Sequence, residues 1–276
     1  MKKLKILSAL IFIVSLCVLV YAEVTELQQQ SNKSPVIKCD SDILEIQCNY
    51  TNEDLLKGVT AYDEEDGDLT NNIIVGQLSM FIAKNECEVS YVVFDSANNS
   101  SSYIRKVRLT DYKPPVISLE KPLVYVINEG TYNETVSRIH VEDKLEGDIS
   151  SWVDVVKYDT VYSTPGDYFF GIEVTNSAGD IVSANLPVHV VNRGDYTHRI
   201  ELKENLIYSK KGDKINPKDY VANVSRNDGK VFNEYKDDIT VSNVNTSAAG
   251  VTEIHYELKT DGKLIAETWL TVIVTD

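Results

Sequence analysis

The stretch that decides the fold is CEVSYVVFDSANN, residues 87–99. Apolar side chains occupy every second position in it, and this period is typical of a strand with one buried face. These inward positions are Cys87, Val89, Tyr91 and Val93. The letters SANN then supply a turn, and a second alternating run follows with Val107 and Leu109. Two alternating runs joined by a turn predict a β-hairpin.

The same hairpin pattern occurs twice more along the chain. YFFGIEVTNSAGD begins at residue 168, 81 positions after Cys87, and TEIHYELKTDGK begins at residue 252, another 84 positions on. Two shorter pairs repeat with an offset of 80: SPVIKC at 34–39 with PPVISL at 114–119, and DGDLT at 66–70 with EGDIS at 146–150. Repeats of this length indicate tandem domains rather than the turns of a solenoid.

These repeats predict three domains, with bounds 35–114, 115–195 and 196–276, called below the first, second and third repeats. Their later inward-facing positions are Tyr168, Phe170, Ile172, Val174, Leu186, Val188, Val190, Thr252, Ile254, Tyr256, Leu258, Leu270, Val272 and Val274. About seven short strands in some 80 residues are typical of a β-sandwich. We therefore predict an all-β protein of three tandem immunoglobulin-like β-sandwich domains after an N-terminal signal or anchor helix.

The N-terminus carries the pattern of an export signal. MKKLK supplies three lysines, and the uncharged run ILSALIFIVSLCVLVYA follows at residues 6–22. This layout predicts a signal peptide over residues 1–22. About 17 apolar residues also reach the low end of a spanning helix, so an uncleaved membrane anchor is the alternative. Residues 23–34 form a polar stretch and are predicted to be a linker. The expected location is extracellular or at the cell surface, with a membrane anchor if the segment is not cleaved.

Charge excludes one class of partner. The chain has 42 acidic residues against 27 basic ones, a net charge of −15, and cleavage of the leader would remove three of the lysines. A surface so acidic repels phosphates, which excludes nucleic acid as an expected partner. Membrane contact is expected only through the N-terminal segment.

The first two repeats resemble a known family. GVTAYDEEDGDLT, the YVVFDSANN hairpin, the strand with Arg105, Val107 and Leu109, and DYKPPVISL are similar to the bacterial immunoglobulin-like domains named for an insecticidal crystal protein, and to hyalin and PKD repeats. The third repeat has diverged, since SRNDGKVFNEYKDD replaces the acidic turn. The resemblance implies extracellular, often bacterial, surface proteins in which such domains serve as spacers, stalks or binding modules, and it implies no catalysis.

Acidic residues are concentrated in YDEEDGD, residues 62–68. An EF-hand does not fit, because Gly67 at loop position six places Tyr62 and Ile73 at ligand positions one and twelve. Two readings stay open: a turn whose aspartates accept backbone N–H bonds, and a weak calcium site. The calcium ligands would be Asp63, Glu65, Asp66 and Asp68.

The second copy of this stretch separates two kinds of acid. Asp63 and Asp68 recur in it as Asp143 and Asp148, and we therefore predict that these four serve the fold. Glu64, Glu65 and Asp66 are predicted to be solvated charge. Apart from calcium, no cofactor is expected.

Three cysteines remain after the leader: Cys39, Cys48 and Cys87. Gly166-x-Tyr168 resembles a tyrosine corner, in which the hydroxyl bonds back to the backbone upstream, and Cys87 occupies the place of Tyr168 in the first repeat. We predict a Cys48–Cys87 disulfide as the local substitute, with Cys39 free or bridged to another chain. The alternative is that all three are buried as small apolar residues.

No catalytic constellation is visible in the sequence. The histidines His140, His189, His198 and His255 stand singly, without the spacing of a triad or a zinc site. Trp152 and Trp269 are candidate binding residues, since exposed aromatic rings stack on sugars or anchor protein partners. The commoner fate of such a ring is to lie beneath a neighbouring domain.

These patterns predict a non-enzymatic exported or cell-surface protein that acts as a spacer, a stalk or an adhesion and binding module. The alternative is a carbohydrate- or protein-binding accessory module of an extracellular enzyme system. In either case the expected partner is an extracellular protein or a glycan.

Overall fold

The structure is a computed structural model that describes residues 2–30, 33–192 and 196–276. Its first element is helix α1 (Lys2–Gln30), which runs through the apolar segment. The helix continues to Gln30 and so includes most of the predicted linker 23–34, of which residues 31 and 32 lie outside the described residues. No helix within these described ranges has the length and apolar character that crossing a membrane requires.

The first repeat forms two sheets. One has the order β1-β3-β4 and the other β2-β7-β6-β5. The elements are β1 (Val36–Cys39), β2 (Ile43–Ile46), α2 (Asn52–Leu55), β3 (Val59–Asp63), β4 (Gly67–Asp68), β5 (Ile74–Val75), β6 (Glu86–Phe94) and β7 (Ser100–Leu109), with a 3₁₀ turn at Thr70–Asn72. Strand β2 pairs in parallel with the last strand, β7, while β6 and β7 form the predicted hairpin.

The second repeat has the same plan. Its sheets have the orders β11-β10-β8 and β12-β13-β14-β9. The elements are β8 (Val116–Leu119), β9 (Val124–Val126), α3 (Tyr132–Ser137), β10 (Ile139–Asp143), β11 (Gly147–Asp148), β12 (Asp154–Tyr158), β13 (Gly166–Thr175) and β14 (Ile181–Val191), with a 3₁₀ turn at Ser150–Trp152. Again an early strand, β9, pairs in parallel with the last one, β14.

The third repeat keeps the larger sheet, in the order β16-β20-β19-β18, and a second sheet of two strands, β15-β17. The elements are β15 (His198–Leu202), β16 (Leu206–Lys210), β17 (Val221–Arg226), β18 (Ile239–Val241), β19 (Gly250–Thr260) and β20 (Lys263–Thr275), with 3₁₀ turns at Pro217–Tyr220 and Asn233–Lys236. The β19–β20 hairpin turns on Asp261 and Gly262, whose φ angles are 51° and 77°. Positive φ at both turn residues matches the right-handed twist of the paired strands.

The all-β fold of tandem immunoglobulin-like sandwiches is confirmed. Most of the predicted inward positions lie in the cores, and Tyr91, Phe170, Tyr256 and Leu270 are each 0% exposed. Tyr168 and Thr252 are only half-buried. The two short helices, which the sequence reading did not predict, also repeat with the 80-residue offset. Each begins after a threonine, Thr51 or Thr131, whose hydroxyl accepts an amide N–H of the first turn, as an N-cap does.

Backbone contacts divide the chain into two compact units, residues 1–111 and 112–276. The second unit contains the second and third repeats together. The predicted domain bounds stay predictions, and the bound between 195 and 196 adjoins residues 193–195, which lie outside the described residues.

Candidate functional site

The second and third repeats share a joint inside the 112–276 unit. The backbone N–H of Ile117 donates to Tyr208 Oη at 2.9 Å, and Asn205 Nδ2 donates to the carbonyls of Leu119 and Glu120 at 3.2 and 2.9 Å. Leu206 on β16 belongs to the apolar core cluster of the second repeat. Side-chain packing and hydrogen bonds therefore both connect these two sandwiches.

Trp269 on β20 lies between two imidazole rings at this joint. His189 on β14 stacks on the indole with ring centroids 4.0 Å apart and planes 11° apart. His255 on β19 stacks with centroids 4.2 Å apart and planes 10° apart. We call these three residues the histidine–tryptophan stack. Its indole is covered on both faces by these rings, and the residue lies against the neighbouring repeat, which is the commoner fate expected for such a ring. A binding role for Trp269 stays a prediction.

Carboxylates hold the buried histidine of the stack. His189 is 2% exposed; its Nδ1 lies 2.8 Å from Asp167 Oδ1 and its Nε2 lies 2.8 Å from Glu253 Oε2. Burial favours the neutral ring, but the hydrogen bonds and charges of Glu253 and Asp167 outweigh it and raise the pKa of His189. Only the imidazolium has an N–H at both nitrogens to donate to both carboxylates.

The other histidine of the stack, His255, is also hydrogen-bonded to a carboxylate. His255 Nε2 lies 2.9 Å from Glu267 Oε2, while Tyr196 Oη donates to Glu267 Oε1. Burial favours the protonated form of Glu267, but these bonds to His255 and Tyr196 lower its pKa. Glu257 completes the group, because one donor atom from each of His255, Glu257 and Glu267 lies within 4.8 Å of the others.

A cleft of about 480 Å³ adjoins this group in the same unit. Its lining includes Tyr125, Arg138, Tyr196, His198 and Glu267. The Arg138 guanidinium lies over the Tyr125 ring, 4.2 Å from its centroid, and burial raises the pKa of Tyr125 to about 12. Aromatic and charged groups together give the cleft the character of a polar-ligand site.

The aspartates of the first acidic turn accept hydrogen bonds from the backbone of that turn. Asp63 is buried and its Oδ1 accepts the backbone N–H groups of Glu65 and Asp66 at 2.8 and 3.0 Å. Asp68 Oδ1 accepts the N–H of Thr70 at 2.9 Å. The backbone bonds to the ionised form lower the pKa of Asp63, and the side chain and then the backbone N–H of Thr70 lower the pKa of Asp68.

The second acidic turn repeats those bonds. Asp143 Oδ1 accepts the N–H groups of Leu145 and Glu146 at 2.6 and 3.2 Å, and Asp148 Oδ1 accepts that of Ser150 at 2.9 Å. The prediction that the recurring aspartates serve the fold is consistent with both copies.

Asp66 differs from its predicted role as solvated charge. Its carboxylate accepts the N–H of Ser96 at 2.6 Å and the hydroxyl of Ser96 at 2.9 Å, and so connects the acidic turn to the β6–β7 hairpin turn. Glu146 makes the equivalent bond to the hydroxyl of Ser177 in the second repeat. Within the described ranges, Asp63, Glu65, Asp66 and Asp68 do not converge as His255, Glu257 and Glu267 do. A calcium site there stays a prediction.

The remaining predicted residues are placed as follows. Trp152 is 45% exposed at the end of its 3₁₀ turn. Tyr168 Oη donates to the carbonyl of Thr164 at 2.9 Å, which confirms the tyrosine corner. Cys48 and Cys87 are both buried; the Cys87 thiol donates to the Val107 carbonyl, and burial raises its pKa to about 11. The Cys48–Cys87 pairing stays a prediction.

The sequence reading missed the histidine–tryptophan stack, although a signal was present. Glu253, His255 and Glu257 alternate with the inward Ile254, Tyr256 and Leu258, so all three polar side chains share the outer face of β19.

No family model matches the chain, and no curated protein matches it. Among the solved structures that resemble it at low similarity are the following three. The CBM51-2 and INT domains from Clostridium perfringens ZmpB, in complex with GlcNAc, are 20% identical, with 55% of this chain and 26% of that chain covered and a TM-score of 0.24. The extracellular cadherin domains 1–4 of protocadherin Gamma B7 are 12% identical, with 87% and 76% covered and a TM-score of 0.23. Domains 4–9 of the surface layer protein SbsC are 12% identical, with 87% and 50% covered and a TM-score of 0.19.

The chain spans less than two thirds of the first and third of these structures. At such TM-scores the likenesses carry no argument about function, which has to be argued from the residues of this chain.

Proposed function

We propose that the chain is an exported surface protein whose tandem sandwiches act as a spacer or as an adhesion and binding module, without catalysis of its own. The observation that carries this proposal is the joint between the second and third repeats. Consecutive domains move relative to one another unless a substantial interface holds them. Here Leu206 enters the core of the preceding repeat, and Asn205 and Tyr208 bond to its backbone. A joint of this kind keeps the two domains in a fixed relative orientation, as a spacer or a stalk requires.

Regional hydrogen exchange tests the held joint. Val272→Ala removes two methyl groups from a fully buried side chain of the third repeat. If the repeats behave as one unit, exchange accelerates in peptides of β13 and β14 as well as in β19 and β20. Val231→Ala is the matched control, because Val231 is 49% exposed in the same repeat. Acceleration confined to the third repeat contradicts the held joint.

Cell fractionation tests the exported location. The full chain is expressed in a bacterial host, and intact cells are treated with an amine reagent that cannot cross membranes. We expect the protein in the medium or labelled at the surface, through the N-terminal segment. Unlabelled protein retained in the cytoplasm contradicts export.

A binding role for glycans or proteins is the second candidate. It is favoured by the exposed indole of Trp152 and by the cleft with Tyr125 and Tyr196 in its lining, since aromatic rings beside polar groups suit both kinds of ligand. A glycan array with the full chain, repeated with Trp152→Ala and Tyr196→Phe, tests the glycan form. An array without signal rules that form out.

A weak calcium site at the first acidic turn is part of the proposal only as a prediction. Titration of calcium to about 1 mM, the range of weak extracellular sites, would raise the melting temperature if Asp63, Glu65, Asp66 and Asp68 bound the ion. An unchanged melting temperature ends this hypothesis.

A further inference from the structure

Three potential metal ligands converge on the outer face of the β19–β20 hairpin. Glu257 and Glu267 stand directly opposite one another in the strand register. His255 lies two positions before Glu257 on the same face, and its Nε2 is 2.9 Å from Glu267 Oε2. Donor atoms of all three residues lie within 4.8 Å of one another.

We propose that His255, Glu257 and Glu267 bind a divalent first-row transition cation, for which Zn²⁺ is the reference ion. One imidazole nitrogen with two carboxylate oxygens is a donor set suited to such a cation, whereas calcium prefers oxygen alone. Three protein ligands would leave a further coordination position for water. The site is independent of the spacer or binding role proposed above.

Charge in the strand register supports the site. Two carboxylates directly opposite one another on paired strands repel and destabilise the sheet. A cation between Glu257 and Glu267 would remove that cost. Lys259 supplies only part of the compensation, because its Nζ contacts Glu257 Oε2 at 2.9 Å and brings one positive charge to two carboxylates.

The ligands are held in place by a second layer of contacts. Trp269 stacks on the His255 ring and fixes its plane, while Tyr196 donates to the second oxygen of Glu267. Such outer contacts orient metal ligands and strengthen binding. The side chains of His255 and Glu257 are 30% and 29% exposed, which leaves a path for the ion.

Binding requires two exchanges. The proton through which His255 Nε2 bonds to Glu267 would leave Nε2, to solvent from an imidazolium or to Nδ1 in the neutral ring, so that the lone pair of Nε2 faces the cation, and Lys259 would leave Glu257. Affinity should therefore weaken as the solution is acidified, as for other sites with a histidine ligand.

Tryptophan fluorescence provides a local test, because the chain has two tryptophans. In the full chain with Trp152→Phe, the remaining Trp269 stacks on a proposed ligand. We expect Co²⁺ to quench its emission saturably at one ion per chain, and Zn²⁺ to compete. Calorimetric titration of the unsubstituted chain with Zn²⁺ gives the stoichiometry directly.

Substitutions assign the ligands. We expect His255→Gln, Glu257→Gln and Glu267→Gln each to weaken Zn²⁺ binding at least tenfold. His140→Gln is the matched control and should leave it unchanged, because His140 lies in the second repeat beside Glu120, at 3.8 Å. Glu257→Gln is the safest variant for folding, since its side chain is partly exposed. Circular dichroism without metal verifies that each variant is folded.

Two results overturn the site. One is the absence of saturable Zn²⁺ binding and Co²⁺ quenching up to about 1 mM of the metal, far above the range of structural zinc sites. The other is binding that persists unchanged in both His255→Gln and Glu257→Gln.

Discussion

The acidic turns and the histidine–tryptophan stack are opposite cases of clustering. In the acidic turns, residues 63–68 and 143–148, the charges are adjacent in the sequence, and the recurring aspartates accept the chain's own amides. In the stack, His255 and Trp269 come from the two strands of one hairpin and His189 comes from the preceding repeat, so the three meet through strand register and the joint. In the acidic turns, carboxylates that are adjacent in the sequence accept the backbone N–H groups of the turn itself. In the stack, side chains from separate strands come together, and this arrangement can form a binding site.

The strongest test of this contrast is Trp269→Ala. The substitution removes the indole from between two imidazoles at the joint, and we expect the free energy of unfolding to fall by about 3 kcal/mol. Trp152→Ala is the matched control; because Trp152 is 45% exposed, its loss should change stability by less than about 0.5 kcal/mol. Urea denaturation followed by circular dichroism measures both. Equal losses would mean that the stack contributes no more than an exposed ring.

Asp143→Ala tests the turn half of the comparison. Asp143 is buried, accepts two backbone N–H groups through Oδ1 and accepts Asn176 Nδ2 at 3.0 Å through Oδ2. Its removal leaves those donors unsatisfied, so we expect a loss of about 2 kcal/mol. Glu142→Ala, at the exposed neighbouring position, should cost less than about 0.5 kcal/mol. If the two variants unfold at the same urea concentration, Asp143 does not organise the turn.

The sandwich and its hairpins could be predicted from the sequence because each depends on local alternation. The inward sets, the turns and the Tyr168 corner all involve residues close together in the chain. The role of Asp66 could not, since its partner Ser96 lies 30 positions away and meets it only when the two sheets pack.

The metal-ligand group was hidden for a more specific reason. The hairpin turn pairs Thr260 with Lys263, and counting back from that pair would place Glu257 opposite Ala266. A bulge between Leu258 and Lys259 shifts the register by one residue and places Glu257 opposite Glu267. The alternation of Glu253, His255 and Glu257 was visible in the sequence, whereas the bulge that decides their partners was not.

The pH dependence of stability separates the stack from the turns. The pKa of His189 is raised above its ordinary value of 6.5 by Glu253 and Asp167. The stabilisation from its protonation is therefore fully present below about pH 6.5 and is lost as the pH rises through the folded-state pKa. Compared with His189→Gln, the unsubstituted chain should lose its advantage in unfolding free energy as the pH rises above about 6.5.

The aspartates of the turns act in the opposite direction. Hydrogen bonds to neighbouring amides and hydroxyls lower the pKa values of Asp63, Asp68 and Asp148, so their contribution is lost only as the pH falls below about 4. Urea denaturation across the pH range measures the contributions of the histidine and of the aspartates. EDTA is present so that no cation binds at His255, Glu257 and Glu267. If the difference in unfolding free energy between the unsubstituted chain and His189→Gln does not vary from about pH 6 to about pH 9, His189 is not held in its protonated form.

Asp66→Ala tests a residue that combines both kinds of clustering. Asp66 belongs to an acidic turn, and its carboxylate also accepts hydrogen bonds from Ser96 in the β6–β7 turn. We expect a loss of about 1 kcal/mol, since two hydrogen bonds from Ser96 to an ionised group on the surface are removed. Glu64→Ala is the control from the same turn; the Glu64 side chain forms an exposed ion pair with Lys33, and such pairs contribute little. Ser96→Ala should reproduce part of the Asp66 loss, and the double variant should lose less than the sum of the two single losses. If the losses in unfolding free energy from Asp66→Ala and Ser96→Ala add fully in the double variant, the two residues do not interact, and Asp66 is solvated charge as the sequence predicted.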